Sequence, residues 1–541
     1  DYFNDFQPQT QLNKLYIDAF PQEVLASRES ALLTREALIN AIEEGTFMVD
    51  YLGHGNESQW AIENILDATL VNDLTNRFYL PLFLTATCEF GRYDDPSINT
   101  SGAEKLLLNE NGGAIALLTT TRPVYASSNE LVNEAFHKNL FKTENGSFLR
   151  LGDIIRLTKN ESVSGVNNRN FSLLGDPMLQ LQYPKNKIII DSINGLNVID
   201  LGTDTLSALE KIRFNGSVQS IDSLFLADFN GSVNVSVYDR ITEKETLGQE
   251  NPTFTYAVRE NKIFEGQATV SNGHFSIEFI VPKNISYRFE SGKIIMYAQN
   301  DELTSDATGF FKDFVMGNTA ENPVVDNESP AISLYINDDS FNEGDVVGEN
   351  VLFIAKITDE SGINTSGIGI NQDITVTMED GSLYVLNDYY VADLDTYQSG
   401  RITFPLRNMS IGNHTATLKI SDIHNNTSYR SVNFIVSNEP KLLLYNVMNY
   451  PNPAIDGTTF TFEHDRIGEA LEIELIIYDT RGNIISKELF EVDDSPKKID
   501  DLYLPFPPGT FRKGIYLYRI EVSSTLDQAK GTAIERLLIN N

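Results

Sequence analysis

Cys88 is the only cysteine in the 541-residue chain, and His54 is one of six histidines. Each stands just past an apolar run: residues 47–52 lead into Gly53-His54-Gly55, and residues 80–87 lead into Cys88-Glu89-Phe90-Gly91. Cysteine attacks a carbonyl carbon as thiolate, and a free thiol has a pKa of about 8.5, so near neutral pH it needs a base beside it. His54 is the candidate base. The flanking Gly53 and Gly55 carry no Cβ, which permits a tight strand exit and close approach of a substrate to the backbone. The backbone N–H groups of Gly55 and Cys88 are candidate donors to a developing oxyanion. The same residues have a blander reading, because a lone cysteine is as a rule a small buried hydrophobe and Gly-His-Gly can be a plain turn. The joint pattern favours chemistry: apolar block, His-Gly, spacer, apolar block, small residues, Cys.

Other residues near these two carry paired readings. Glu89, Asp94 and Asp95 suit recognition of a basic or amine group, or else shape the loop with Pro96 as its turn residue. Arg122 and Tyr125 follow the next apolar run and face the same cleft if that run is a neighbouring strand. Trp60, the sole tryptophan, either lines the substrate cleft or packs beneath it. His137, His274, His414, His424 and His464 lack metal-ligand spacing and read as ordinary surface or core residues. Asp176 reads as a turn cap.

The elements that must position Cys88 and His54 follow from periodicity. Residues 14–20 read as a strand. Leu33, Ala37, Leu38, Ala41 and Ile42 recur at helical spacing up to Gly45, a C-terminal stop. Apolar strands end at His54 and Cys88, and another covers 114–119. Helical segments lie at about 64–75, 103–110, 129–141 and 149–159. This alternation predicts an α/β domain over 1–184 with a parallel sheet covered on both faces. Residues at the carboxyl ends of neighbouring strands, about 4.8 Å apart, then reach each other despite 34 intervening steps of sequence.

Beyond about residue 187 the pattern becomes two-residue alternation broken by Asn, Gly and Asp turns, as in 233–238 and 274–280. Three β-sandwich domains are expected, over 185–318, 327–437 (immunoglobulin-like) and 438–541, with a polar linker at 318–330 and a break at 438–440. The whole is a multidomain protein.

The net charge is −35, from 41 basic and 76 acidic residues. Such a surface repels phosphate backbones and anionic headgroups, which excludes nucleic-acid binding and polybasic membrane docking. It suits a solvated extracellular surface with structural Ca²⁺ as an option, although no intact EF-hand loop is present. No cofactor is otherwise called for. No run approaches the roughly 20 apolar residues of a membrane helix. The N-terminus reads as processed or truncated, since Asp1 follows no initiator methionine.

The order of blocks around His54 and Cys88 is the layout of caspase-like cysteine peptidases. Tyr51-Leu52-Gly53-His54-Gly55 and the stretch from Thr85 through Cys88 to Pro96 resemble the histidine and cysteine motifs of the gingipain family, in particular its type IX secretion sortase branch. Phe171-Ser172-Leu173-Leu174-Gly175-Asp176-Pro177 resembles the turn that closes this family's catalytic domain. Asn449-Tyr450-Pro451-Asn452-Pro453, Tyr478 to Asn483 and Gly514 to Tyr518 resemble the type A sorting domain of type IX cargo. The resemblance implies a caspase-like domain of which 1–184 is the C-terminal part. It implies Cys88 as nucleophile, His54 as base and later acid, and Gly55 and Cys88 as the oxyanion hole. Thr87 departs from the Ala common in the wider pattern. Further strands and an acidic residue upstream of the histidine are expected in the family, the latter outside this chain; the group that orients His54 is left unassigned, with Glu57 and Asp50 as weak candidates.

The resemblance further implies a cell-surface peptidase and transpeptidase, peripherally attached to the bacterial outer membrane. It would remove C-terminal signals from type IX cargo and pass the cargo, through a Cys88 thioester, to an amine-bearing surface glycolipid, with the outer-membrane β-barrel protein PorV as partner. Two other readings stand beside it: a secreted gingipain-like endopeptidase that is itself cargo, and a non-catalytic adhesin or scaffold with a degenerate peptidase domain.

Overall fold

The computed structural model describes residues 8–25, 28–97, 100–198, 204–249, 251–285, 289–339, 341–368, 372–437, 442–479, 481–493, 495–507, 510–525 and 529–540. The expected break at 438–440 lies outside these residues.

The α/β part runs α1 (Leu32–Glu43), β1 (Met48–Leu52), α2 (Ala68–Asp73), β2 (Leu82–Ala86), α3 (Gly102–Leu108), β3 (Ala116–Thr120), α4 (Ala126–Leu140), α5 (Leu151–Glu161) and β4 (Phe171–Leu174). The sheet order is β1-β2-β3-β4. β1, β2 and β3 are parallel, as the helical crossovers require. β4 runs antiparallel to β3, so the sheet is mixed at that side rather than wholly parallel. Every residue of β2 and β3 is buried, which is why both strands are continuously apolar or Thr. Alternate residues feed opposite cores. Phe83 and Leu117 pack with Leu38, Ile42, Leu70 and Leu106 on the α1–α3 face. Leu82, Leu84, Ala86, Ala116 and Leu118 pack with Val132, Phe136 and Ile154 on the α4–α5 face.

The helices start where the sequence supplies acceptors for their free N–H groups. Asp67 accepts from Thr69 and Leu70 at the head of α2 and pairs with Arg35 of α1 at 3.0 Å. Ser101 and Glu104 form a capping box at the head of α3. The strand expected at 14–20 is instead a single 3₁₀ turn, Ile17–Ala19. It has no ladder; Asp18 receives backbone N–H groups of Leu247, Gly248 and Gln249, and the Tyr16 ring lies tilted against Tyr256, centroids 4.5 Å apart.

The rest is β-structure, mostly antiparallel, with parallel pairs where Asp204–Ala208 meets Phe314–Thr319, Asn186–Ile193 meets Asp306–Phe311 and Val346–Val347 meets Thr427–Val436. One large sheet carries the strands from Asn186–Ile193 to Asp306–Phe311, flanked by a three-stranded sheet. A four-stranded and a five-stranded sheet then span 331–436, and a three-stranded and a four-stranded sheet span 444–539. The strand expected at 274–280 is present with those ends, and the one expected at 233–238 begins two residues earlier, as Gly231–Tyr238. The linker begins later than the residue pattern implies, because Asn318 still belongs to the strand Phe314–Thr319.

Candidate active site at the carboxyl ends of β1 and β2

Leu52 of β1 pairs with Ala86 of β2. His54 and Cys88 each stand two residues further on, past the carboxyl ends of adjacent parallel strands and on the side-chain parity that faces α4. Asp50 and Leu84 share that parity, and the Asp50 carboxylate indeed reaches His137 of α4 at 2.8 Å. Cys88 is half-buried and its thiol points to the Val124 carbonyl in the loop before α4, 3.7 Å away. His54 is exposed.

The ends of both strands are tied down. Gly53 N–H reaches the Ala86 carbonyl at 3.5 Å, Ala61 N–H donates to the His54 carbonyl at 2.9 Å, and the Tyr51 hydroxyl donates to the same carbonyl at 2.7 Å. Burial pushes the Tyr51 hydroxyl pKa upward, with Glu63 adding to the effect, so it stays a donor. Asn129 of α4 donates to the Ala86 carbonyl at 3.0 Å, and the Thr120 hydroxyl donates to the Thr87 carbonyl. Thr87, the departure from the family pattern, is wholly buried and packs against Gly55, where an added Cβ would stand 2.6 Å from its Oγ1. Among the described residues neither the Gly55 nor the Cys88 backbone N–H has an acceptor. Both are therefore free to face an oxyanion.

Glu89 takes a left-handed backbone conformation, φ +58°, unusual for a residue with a Cβ, and it turns the chain sharply just after the thiol. Its carboxylate is held by Arg92 at 2.9 Å, and Arg92 also reaches Glu57 at 3.2 Å and Asp95 at 3.3 Å. Arg122 forms a two-pronged bridge to Asp94, 2.9 and 2.7 Å, which holds the Asp94 carboxyl below its usual range. The loops after β2 and β3 are thereby latched together. Gly91 is needed there: its N–H donates to Thr120 O at 2.8 Å, and a Cβ would lie 2.3 Å from Thr119 Cγ2.

The expectations for individual residues divide accordingly. Glu89 and Arg122 do lie in the loops that follow β2 and β3, and Tyr125 beside them is 75% exposed. Trp60 does not line an open cleft beside Cys88. It is 1% exposed, stacked on Tyr51 at 4.3 Å and close to Phe83 and Phe90 at 5.9 and 5.7 Å; the packing role wins because three aromatic rings enclose it. Neither acid considered for orienting His54 has that partner: Asp50 is taken by Asn133 and His137 and Glu57 by Arg92. Asp176 caps its turn as expected, accepting from Met178 N at 2.8 Å. Sequence reading missed Tyr51 and Asn129, which hold the two strand ends; a Tyr three residues before the histidine was the available signal for the first.

Residues 1–182 match Peptidase family C25 and residues 448–534 match the Secretion system C-terminal sorting domain. No curated protein matches. Among solved structures, the chain is similar to dimeric latent PorU from Porphyromonas gingivalis, at 28% identity over 80% of this chain and 41% of that one, with a TM-score of 0.33. It is also similar to the complex of pro- and mature domains of RgpB from the same organism, at 17% identity over 52% of this chain and 57% of that one, with a TM-score of 0.24. The chain thus spans less than half the length of the PorU chain. On the two family matches, this protein carries a peptidase family C25 domain over residues 1–182 and a secretion-system C-terminal sorting domain over residues 448–534.

Proposed function

We propose that the chain is a cell-surface cysteine peptidase and transpeptidase of type IX secretion, with Cys88 as nucleophile and His54 as its base. The observation that supports this reading is the register: with Leu52 opposite Ala86, His54 and Cys88 each follow the carboxyl end of adjacent parallel strands by two residues. His54 takes the Cys88 proton, and the thiolate attacks the carbonyl carbon of the scissile peptide. The oxyanion is received by the N–H groups of Gly55 and Cys88. Collapse breaks the C–N bond, and His54 returns its proton to the departing amine, the cargo's C-terminal signal. The cargo remains as a thioester on Cys88. An incoming amine then gives up a proton to His54 and forms the new amide, releasing the thiolate; water in its place gives hydrolysis.

The acceptor in this reading is an amine-bearing surface glycolipid. The terminal sorting domain anchors the enzyme peripherally at the outer membrane, with the β-barrel protein PorV as the partner. Glu89 and Arg122, in the loops after β2 and β3, would contact the substrate segment beside the scissile bond. Cys88→Ala in the native host tests the proposal: cargo proteins should accumulate with C-terminal signals uncut. Normal processing overturns it.

The sorting domain favours one second reading, because it is also what a cargo protein carries. A secreted endopeptidase would lose residues from about 440 onward on export. Mass spectrometry of the surface-bound protein decides: an intact terminal domain supports the sortase, and its loss supports the cargo peptidase.

A further inference from the structure

Far from Cys88, where the linker meets the turns of the 331–436 sandwich, lie Asp326, Asp422 and His424. One ligand atom from each lies within 4.8 Å of the other two. Asp422 is fully buried and Asp326 is 7% exposed. A third carboxylate, Asp359 at 9% exposure, adjoins them through Ser361, whose N–H donates to Asp359 Oδ1 at 2.9 Å and whose hydroxyl donates to Asp326 Oδ2 at 2.7 Å. Among the described residues no Lys or Arg pairs with any of these acids. Burial, and then the charges of Asp422 and Asp326, push the Asp359 carboxyl up to about 6. Carboxylates withdrawn from water without a cation are costly.

The imidazole supplies an independent indication. His424 Nε2 lies 2.8 Å from the Val324 carbonyl, and a carbonyl can only accept, so Nε2 bears the proton. In the neutral ring Nδ1 is then a bare acceptor. That atom is buried and has no hydrogen-bond partner. An imidazole fixed by a backbone carbonyl at one nitrogen, with its other nitrogen free, is the usual arrangement of a metal-ligating histidine.

We propose that Asp326, Asp422 and His424 bind one divalent cation that clamps the linker to the 331–436 sandwich. Two carboxylates and one imidazole suit a borderline ion of the Zn²⁺ class better than Ca²⁺, which prefers an all-oxygen shell. The backbone and amide donors now on the carboxylates do not exhaust them. Asp422 accepts from His424 N, Asn426 N and Asn426 Nδ2, and Asp326 from Glu328 N and Ser361 Oγ, while an ionised carboxylate has about four acceptor positions. The lack of metal-ligand spacing in sequence, which made His424 an ordinary residue, reflects only that Asp326 lies in another segment.

The location gives the ion a structural task. Val324 N–H donates to Leu209 O at 3.2 Å, and Lys283 N–H donates to Ile423 O at 2.9 Å. Asn284 Nδ2 contacts Asn425 Oδ1 at 3.3 Å. The preceding β-domain, the linker and the sandwich therefore meet at this point, and a bound ion fixes all three.

The test is calorimetric titration of the metal-free full chain with ZnCl₂. The parent should bind one equivalent more than Asp326→Asn and than His424→Gln, each variant retaining the parent's circular dichroism spectrum. The ion should also slow cleavage by a glutamyl endopeptidase at the exposed Glu321 and Glu328 at least fivefold in the parent and in neither variant. Equal stoichiometry in parent and variants overturns the proposal. So does cleavage at Glu321 and Glu328 that ZnCl₂ leaves unchanged in the parent.

Discussion

Gly55 and Thr87 meet so closely that a Cβ on the glycine would stand 2.6 Å from the Thr87 hydroxyl oxygen, with the Gln59 carbonyl 2.9 Å away on the other side. The contact joins the histidine loop to the residue just before the thiol, so the spacing of the Gly55 and Cys88 N–H groups, the proposed oxyanion donors, is set by packing. Gly55→Ala has no room to enter without moving one loop. It is expected to slow modification of Cys88 by a peptidyl acyloxymethyl ketone at least tenfold. The melting temperature should change far less than that loss suggests, because the strain falls on a surface loop. The double variant Gly55→Ala/Thr87→Ala should recover part of the rate, since the Gln59 contact persists.

Trp60 beneath the same loop is a packing residue, and its substitutions should read out as stability. Trp60→Ala should cost about 3–5 kcal/mol in chemical denaturation. Its indole N–H has no hydrogen-bond partner among the described residues, so Trp60→Phe forfeits packing alone and should cost less than half as much. Neither change should alter which residue is preferred at the cleavage site. A specificity change with Phe would return Trp60 to the substrate cleft.

Lys293 offers a test by pH. Its ammonium donates to the Thr10 carbonyl at 2.7 Å, and burial, with Arg259 and Lys312 nearby, lowers its pKa from 10.5 to about 8. Between those values the unfolded chain binds more protons than the folded one, so this group makes stability rise with pH. Denaturation midpoints should increase from about pH 8 toward 10.5 relative to Lys293→Met, in which this contribution is missing. Parallel pH profiles for the two proteins would contradict the assignment.

The parts legible in the sequence were those with local signatures. Residues 47–52 and 80–87 announce buried strands by continuous apolar content, and the glycines and histidine beyond the first announce a tight exit. β4 was not legible, because Phe171 to Pro177 reads as a turn and four residues, one of them Ser172, are too few to show a strand or its direction. Residues 14–20 alternate like a strand, yet their polar groups are satisfied by the 247–249 loop some 230 positions away. Trp60 was ambiguous for a related reason: only the fold brings Phe83 and Phe90 around it. The acids at 326, 359 and 422 were invisible as a group, since no spacing rule joins residues separated by whole strands.

Activation of Cys88 by His54 is read out by the rate at which an acyloxymethyl ketone alkylates the thiol, followed by mass spectrometry across pH. In the parent chain the thiol should be labelled near neutral pH, well below the range of a free thiol at about 8.5. In His54→Ala the rate should fall at least a hundredfold at pH 7 and recover only as the pH approaches that of a free thiol. A His54→Ala chain that labels at the parent rate across the whole range would show that the imidazole is not the base.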